Sequence, residues 1–346
     1  MIGSTTRRLR SAVSLAALAC LASAAALADP APANYAQRPE VRAFIDEMAS
    51  ERGFDAKALR RLFAQVQYQP KVIEAISRPV IAPPKWYEFA PRFLAPERIE
   101  AGVAFWREYE AALARADKEF GVPPEIIVAI IGVETYYGRY TGTYRVLDAL
   151  TTLAFDYPRR AEFFRKELKQ FLLLAREEQI SPLEPRGSYA GAMGLPQFMP
   201  SSIRAYALDY DFDGKVDLAA DAEDAIGSVA YYLARHGWQR GQPLMSPALI
   251  DEDGRESVLQ KIDAGVSERE SLAQWESQSV AAFGLPGDGA PDSAGLLMLE
   301  EEGGPSYWLV FDNWFVITTY NRSRLYASAV VQLADAVIGA ERQRAP

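Results

Sequence analysis

The sequence predicts a mainly α protein of the α+β class. Segments with helical spacing recur along most of the chain, strand-like runs are confined to its C-terminal part, and no internal repeat or long low-complexity linker divides it. Apolar periodicity places helices at residues 41–51, 56–65, 96–119, 124–136, 160–178, 200–207, 222–236 and 321–339. The alternating and β-branched runs at 296–301 and 307–320 read as strands, with Asp312-Asn313 as the turn of a small late hairpin. Proline-rich and glycine-rich stretches at 78–86 and 284–295 mark loops or subdomain edges.

The first 28 residues have the layout of a secretory signal: Arg7, Arg8 and Arg10, an apolar run, then Ala26-Leu27-Ala28 before Asp29. Soluble export to the periplasm is the expectation. Cys20, in ALAC, offers the alternative of a lipid-anchored outer-membrane protein. Residues 29–346 read as one catalytic unit, with an N-terminal helical part (29–95), a core carrying an acidic loop (96–240) and a C-terminal part with the hairpin and a closing helix (241–346). No transmembrane helix is expected in the mature form, because no later segment approaches the roughly 20 apolar residues of a span.

Composition removes several chemistries. The chain of 346 residues has a formal net charge of -9, and losing the signal removes three arginines and no acid, giving -12. That balance argues against nucleic acid as a partner. Cys20 is the only cysteine and His236 the only histidine, so disulfides, thiol catalysis, Ser-His-Asp triads and Cys/His zinc sites lack their parts. Chemistry must run on carboxylates, hydroxyls, amides and cations.

One carboxylate stands out. In PPEIIVAIIGVETYYG a proline opens a helix and Gly138 lies past its end, while Ile131, Ile130 and Ile127 stand three, four and seven residues before Glu134. Glu134 therefore shares the apolar stripe and sits in the last turn, where the helix dipole disfavours an anion. Both effects raise its pKa, as a general acid near neutral pH requires. The plainer reading pairs it with Arg139 or Arg145, or leaves it in water.

Two further segments carry chemistry. SYAGAMGLPQFMPSS, residues 188–202, combines Gly191 and Gly194 with Gln197 and Phe198, ahead of a helix capped by Ser201 or Ser202. Close backbone approach, a two-way amide and a flat apolar ring suit a sugar, with its polar edges and apolar faces. In DYDFDGKVDLAADAEDAIGS, Asp209, Asp211 and Asp213 occupy positions 1, 3 and 5 of an EF-hand-like loop, Gly214 position 6, and the Lys215 carbonyl position 7. Ala220 replaces the usual glutamate at position 12, leaving Asp221, Glu223 or Asp224 to close a structural Ca2+ site.

Taken together, PPEIIVAIIGVETYYGRYTGTYRVLDALTTLAFDYPRRAEFF, GSYAGAMGLPQFMPSS, DAIGSVAYYLARHGW and TTYNRSRLYASAV resemble the membrane-bound lytic transglycosylase B family, glycosidases of bacterial cell-wall turnover. The resemblance runs from about Trp86 to the C-terminal helix. It implies a lysozyme-like catalytic fold with an extra helical subdomain, and Glu134 as the single acid/base. It also implies that Ser188, Gln197, Tyr232, Tyr320 and Asn321 contact the sugar and that Asp224 closes the calcium site. The implied reaction cleaves the β-1,4 bond between N-acetylmuramic acid and N-acetylglucosamine in peptidoglycan glycan strands without water, leaving 1,6-anhydromuramoyl ends and needing no catalytic cofactor.

Two rivals remain. A hydrolytic muramidase would need a second carboxylate, for which Asp148, Asp156 and Glu178 are formal candidates with structural roles favoured. A calcium-braced peptidoglycan-binding scaffold for other cell-wall enzymes would keep the cleft without turnover. His236 is read as a helix-end residue, Arg159-Arg160 as a loop anchor, and Trp308 and Trp314 as core.

Overall fold

The structure, a computed structural model, describes residues 34–78, 83–262, 265–285 and 291–344, so the expected signal and Cys20 lie outside the described residues. Three helices begin the described chain: α1 (Pro39–Arg52), α2 (Ala56–Phe63) and α3 (Pro70–Ser77). They pack on α8 (Val146–Asp156) and α9 (Ala161–Glu177) around Phe44, Phe63, Leu150 and Phe171. Asp148 and Asp156 tie this layer together. Asp148 accepts from the Gln67 amide at 3.0 Å and pairs with Arg145 at 2.6 Å, while Asp156 receives the Tyr35 hydroxyl and pairs with Arg38 at 2.6 Å. Both carboxylates are spent on structure.

The largest core is built by α5 (Pro96–Glu108), α6 (Glu110–Phe120), α7 (Pro124–Thr135), α11 (Ala222–Arg235), α14 (Asp312–Tyr320) and α15 (Arg324–Arg344), with a short α4 (Trp86–Phe89) beside it. At its centre, α7 is buried from Ile126 through Gly132, as expected of a helix apolar all round. Each buried isoleucine contributes roughly 1.5–3 kcal/mol relative to exposure. A charge at Ile130 would therefore break the helix out of its packing.

A two-residue ladder joins β1 (Tyr144–Arg145) to β2 (Arg186–Gly187), and α10 (Pro200–Tyr206) lies against α9. The rest of the strand content is one antiparallel sheet of five: β3 (Met245–Ile250), β4 (Val266–Ser271), β5 (Val280–Ala282), β6 (Ser293–Glu301) and β7 (Gly304–Val310), in the order β4-β6-β7-β3-β5. One face, with Leu297, Leu299 and Val310, closes the large core, and the other, with Leu296 and Leu309, packs on α12 (Glu252–Leu259) and α13 (Leu272–Ser277). No helix among the described residues is long and apolar enough to cross a membrane.

The structure corrects four local expectations. The hairpin turns at Glu302-Gly303, not at Asp312-Asn313. Those two residues instead open α14, where the Asn313 side chain bonds the Gln239 amide and carbonyl, so tertiary partners override the β-branched run. The helix expected at 96–119 breaks at Tyr109, whose backbone leaves the helical region (φ -113°, ψ 27°) as its ring packs on Phe105. The cap of α10 comes from neither Ser201 nor Ser202: Glu167 of α9 accepts from the Ser201 amide at 3.0 Å and hydroxyl at 2.7 Å.

Candidate active site

The end of α7 sets the position of Glu134. Gly138 lies past the end of this helix, as the sequence suggests, and the cap residue is Tyr136, at φ 54°, with its amide returning to the Gly132 carbonyl. Glu134 thus projects from the last turn, half-buried, with no cation paired to it among the described residues. Arg145 is engaged by Asp148, and Arg139 stacks on the Tyr136 ring at 4.5 Å. The carboxylate instead accepts from the Tyr326 hydroxyl of α15 at 2.7 Å. Burial pushes its pKa up to about 7, the Tyr326 hydrogen bond pulling the other way. At neutral pH it holds a proton in a large fraction of molecules.

Around it stands an aromatic wall. Tyr320 lies parallel to Tyr326 at 6.3 Å and donates to the Pro196 carbonyl. Tyr232 of α11 meets Tyr320 edge-on at 5.0 Å, and its hydroxyl donates to the Thr319 carbonyl at 2.9 Å. Phe198 contacts both rings, and His236 stacks on Tyr232 at 3.9 Å with Nδ1 against the Tyr232 carbonyl. Burial raises the pKa of Tyr320 and Tyr326 well above the ordinary tyrosine range, so both remain hydrogen-bond donors.

The glycine and amide loop closes against this wall. The Ser188 amide donates to the Ala192 carbonyl at 2.8 Å, and its hydroxyl oxygen accepts from the Ala192 amide at 3.1 Å. Gln197, at φ 50°, donates to the Thr141 and Gly194 carbonyls at 3.0 and 2.9 Å, which fixes the amide and leaves its Oε1 as an acceptor. Gly142 must be glycine, since a Cβ there would lie 2.1 Å from the Gly187 carbonyl carbon. Tyr232, Tyr320 and Gln197 are therefore brought to one region with Glu134. Asn321 is exposed, and its side-chain oxygen accepts from the Ser323 amide at the start of α15.

The acidic loop gathers as its spacing suggested. Oxygens of Asp209, Asp211 and Asp213 lie within 4.8 Å of one another. Their other bonds curl the loop: Asp209 accepts from Gly214, Asp211 from Asp213, and Asp213 from Lys215. Asp209 Oδ1 is buried without a partner, the condition a cation would relieve. Asp224 stands outside this trio and clasps the loop, accepting from the Tyr210 and Asp217 amides at 2.6 and 2.7 Å. Asp221 caps α11, and Glu223 pairs with Arg115. The Leu195 amide donates to the Leu218 carbonyl at 2.7 Å, joining the acidic loop to the glycine loop.

Residues 36–335 match the family described as the transglycosylase SLT domain. The chain belongs to the transglycosylase SLT family. It is 42% identical over 316 residues to the membrane-bound lytic murein transglycosylase B of Escherichia coli, across 88% of this chain and 84% of that protein. The soluble lytic transglycosylase SltB1 of Pseudomonas aeruginosa is 48% identical and superposes with a TM-score of 0.82 over 88% of this chain and all of the other. The E. coli lytic transglycosylase Slt35 in complex with calcium is 42% identical, with a TM-score of 0.81 over 89% of this chain and 96% of that one. The mainly α architecture with its small sheet is thus that of the SLT transglycosylases. Sequence reasoning missed Tyr326 and the place of Phe198 in the wall. The signal for Tyr326 was in TTYNRSRLYASAV: a hydroxyl on the otherwise apolar stripe of α15.

Proposed function

We propose that this SLT transglycosylase cleaves the β-1,4 bond between N-acetylmuramic acid and N-acetylglucosamine in peptidoglycan, with Glu134 as its single acid/base. The observation that carries the reading is a carboxylate held near pKa 7 by burial and bonded, among the described residues, to the Tyr326 hydroxyl. Glu134 gives its proton to the bridging oxygen as the C1–O bond breaks. The muramoyl 2-acetamido oxygen then stabilises C1. As the muramoyl O6 attacks C1, the Glu134 carboxylate takes the O6 proton, which closes a 1,6-anhydro ring and restores the acid without consuming water. Supporting one carboxylate rather than two, Asp148 and Asp156 are spent in ion pairs, and Glu178 is exposed at the end of α9.

Ser188, Gln197, Tyr232, Tyr320 and Asn321 hold the sugars in this reading, with Phe198 as an apolar face beneath them. A Ca2+ held by Asp209, Asp211, Asp213 and the Lys215 carbonyl, with Asp224 closing the loop, would supply charge neutralisation that braces the fold. The orphaned Asp209 oxygen and an all-oxygen donor set support this. The mature chain starts at Asp29 in the periplasm and comprises the parts 29–95, 96–240 and 241–346. The membrane-bound name of the E. coli relative favours instead a lipid anchor on Cys20, and mass analysis of the mature N-terminus decides between the two. Other cell-wall enzymes are the class of protein partner proposed.

The test is mass spectrometry of purified glycan strands digested by wild type and by Glu134→Gln. A product one water lighter than the hydrolytic one, absent with the variant, is expected. Reducing-end products would make the chain a muramidase, and retained binding without cleavage by wild type would make it a scaffold.

A further inference from the structure

The turn after Glu134 carries an unusual backbone. Tyr136 and Tyr137 both take left-handed φ angles, 54° and 57°, before Gly138 at 86°. Side chains disfavour that region, so neighbours must hold the turn. The Tyr137 ring fills a slot between α5 and α7, where a Cβ on Gly102 or Gly132 would come within 2.5 or 2.6 Å of its hydroxyl. Tyr136 is gripped by Arg98 of α5, whose guanidinium lies 4.4 Å from the ring centroid. The same guanidinium donates through Nη1 to the Gly132 carbonyl.

Arg98 is half-buried, and no carboxylate pairs with it among the described residues. Burial lowers its pKa, the signature of a cation brought out of water without an acid to compensate. Its partners are a C-terminal helix carbonyl and aromatic rings. A guanidinium there offsets the negative pole of α7, and its plane fixes Tyr136 by stacking. Both contacts flank Glu134, two residues after Gly132 and two before Tyr136.

We propose that Arg98 is a positioning residue for the transglycosylase reaction, acting on Glu134 through the Gly132 carbonyl and the Tyr136 ring. The proposal rests on Glu134 being the acid/base. Arg98 fixes the direction in which the last turn presents the carboxylate. The other groups facing this turn are Tyr326 of α15, Tyr320 of α14, Tyr232 of α11, and Tyr136, Tyr137, Arg139 and Tyr140 on the same segment. Burial raises the pKa of Tyr137, Tyr232, Tyr320 and Tyr326, so near neutral pH the cations of this group are Arg98 and Arg139.

The experiment measures kcat, KM and the pH profile of wild type, Arg98→Gln and Arg98→Lys on purified glycan strands, with circular dichroism to verify folding. Arg98→Gln should lower kcat about tenfold with KM held within about twofold, as expected for a misdirected acid. Its basic limb should stay near the wild-type position, because burial and the Tyr326 hydrogen bond set the Glu134 pKa. Arg98→Lys keeps the charge but not the planar stack, so kcat should recover only in part. A folded Arg98→Gln with wild-type kcat overturns the proposal, as does a rise in KM at constant kcat. If Arg98→Gln does not fold, Tyr136→Gly removes the stacked ring while permitting the left-handed turn. A fall in kcat at constant KM then supports the proposal, and wild-type kcat refutes it. Cleavage by Glu134→Gln would instead sink the acid/base reading itself.

Discussion

Replacing Tyr326 with Phe removes one hydroxyl and leaves the ring that stacks on Tyr320, so the core volume is nearly unchanged. The lost hydrogen bond, 2.7 Å to Glu134 Oε1, favours the ionised carboxylate, and its removal must raise the Glu134 pKa beyond about 7. A hydrogen bond to a charged group contributes about 1.5–3 kcal/mol and one to a neutral group about 1, so the difference between protonation states is about 1–1.5 kcal/mol. That difference corresponds to about one pKa unit. The assay is kcat/KM against pH on purified glycan strands, where the basic limb reports loss of the acid's proton in the free enzyme. The limb should sit near the wild-type pKa of about 7 and move to about 8 in Tyr326→Phe. A limb that stays put or moves down would refute the role of Tyr326 as the group that restrains the acid.

Two further outcomes follow from the same chemistry. Glu134 is raised from 4.5 in the unfolded chain to about 7 in the folded one, so the native state holds the extra proton between those values and stability falls as pH rises through that window. Glu134→Gln should therefore be more stable than wild type at pH 8, by at most about 3 kcal/mol, and lose that advantage at pH 4. Thermal melts at both pH values check this, and an equal shift at each would contradict it. Calcium should raise the melting temperature of wild type, by the equivalent of about 2.7 kcal/mol at a hundredfold excess over Kd, and leave Asp209→Ala unmoved. A wild-type melt insensitive to calcium and to chelator would remove the metal from the acidic loop.

Much of this molecule was legible because local and tertiary demands agree. The all-apolar α7, the terminal position of Glu134 and the curled acidic loop each follow from spacing and from backbone chemistry within a few residues. What failed involved partners distant in sequence. Asn313 opens a helix because Gln239 is there to receive it, and Glu167 caps α10 from another helix. Helix α8 carries apolar and hydroxyl residues on every side, so its period is hidden although nearly all of it is buried. Tyr326 lies 192 residues from the carboxylate it bonds, and no window of sequence can display that pairing.

That long reach has a consequence for when the chain becomes active. The wall beside Glu134 is finished by α14 and α15, the last segments to be synthesised and the last to be threaded through any export channel. In the unfolded chain the Glu134 pKa is the ordinary 4.5, which leaves almost no proton to donate at neutral pH. A transglycosylase built in this way is thus born disarmed, and completion of its own folding is the arming step.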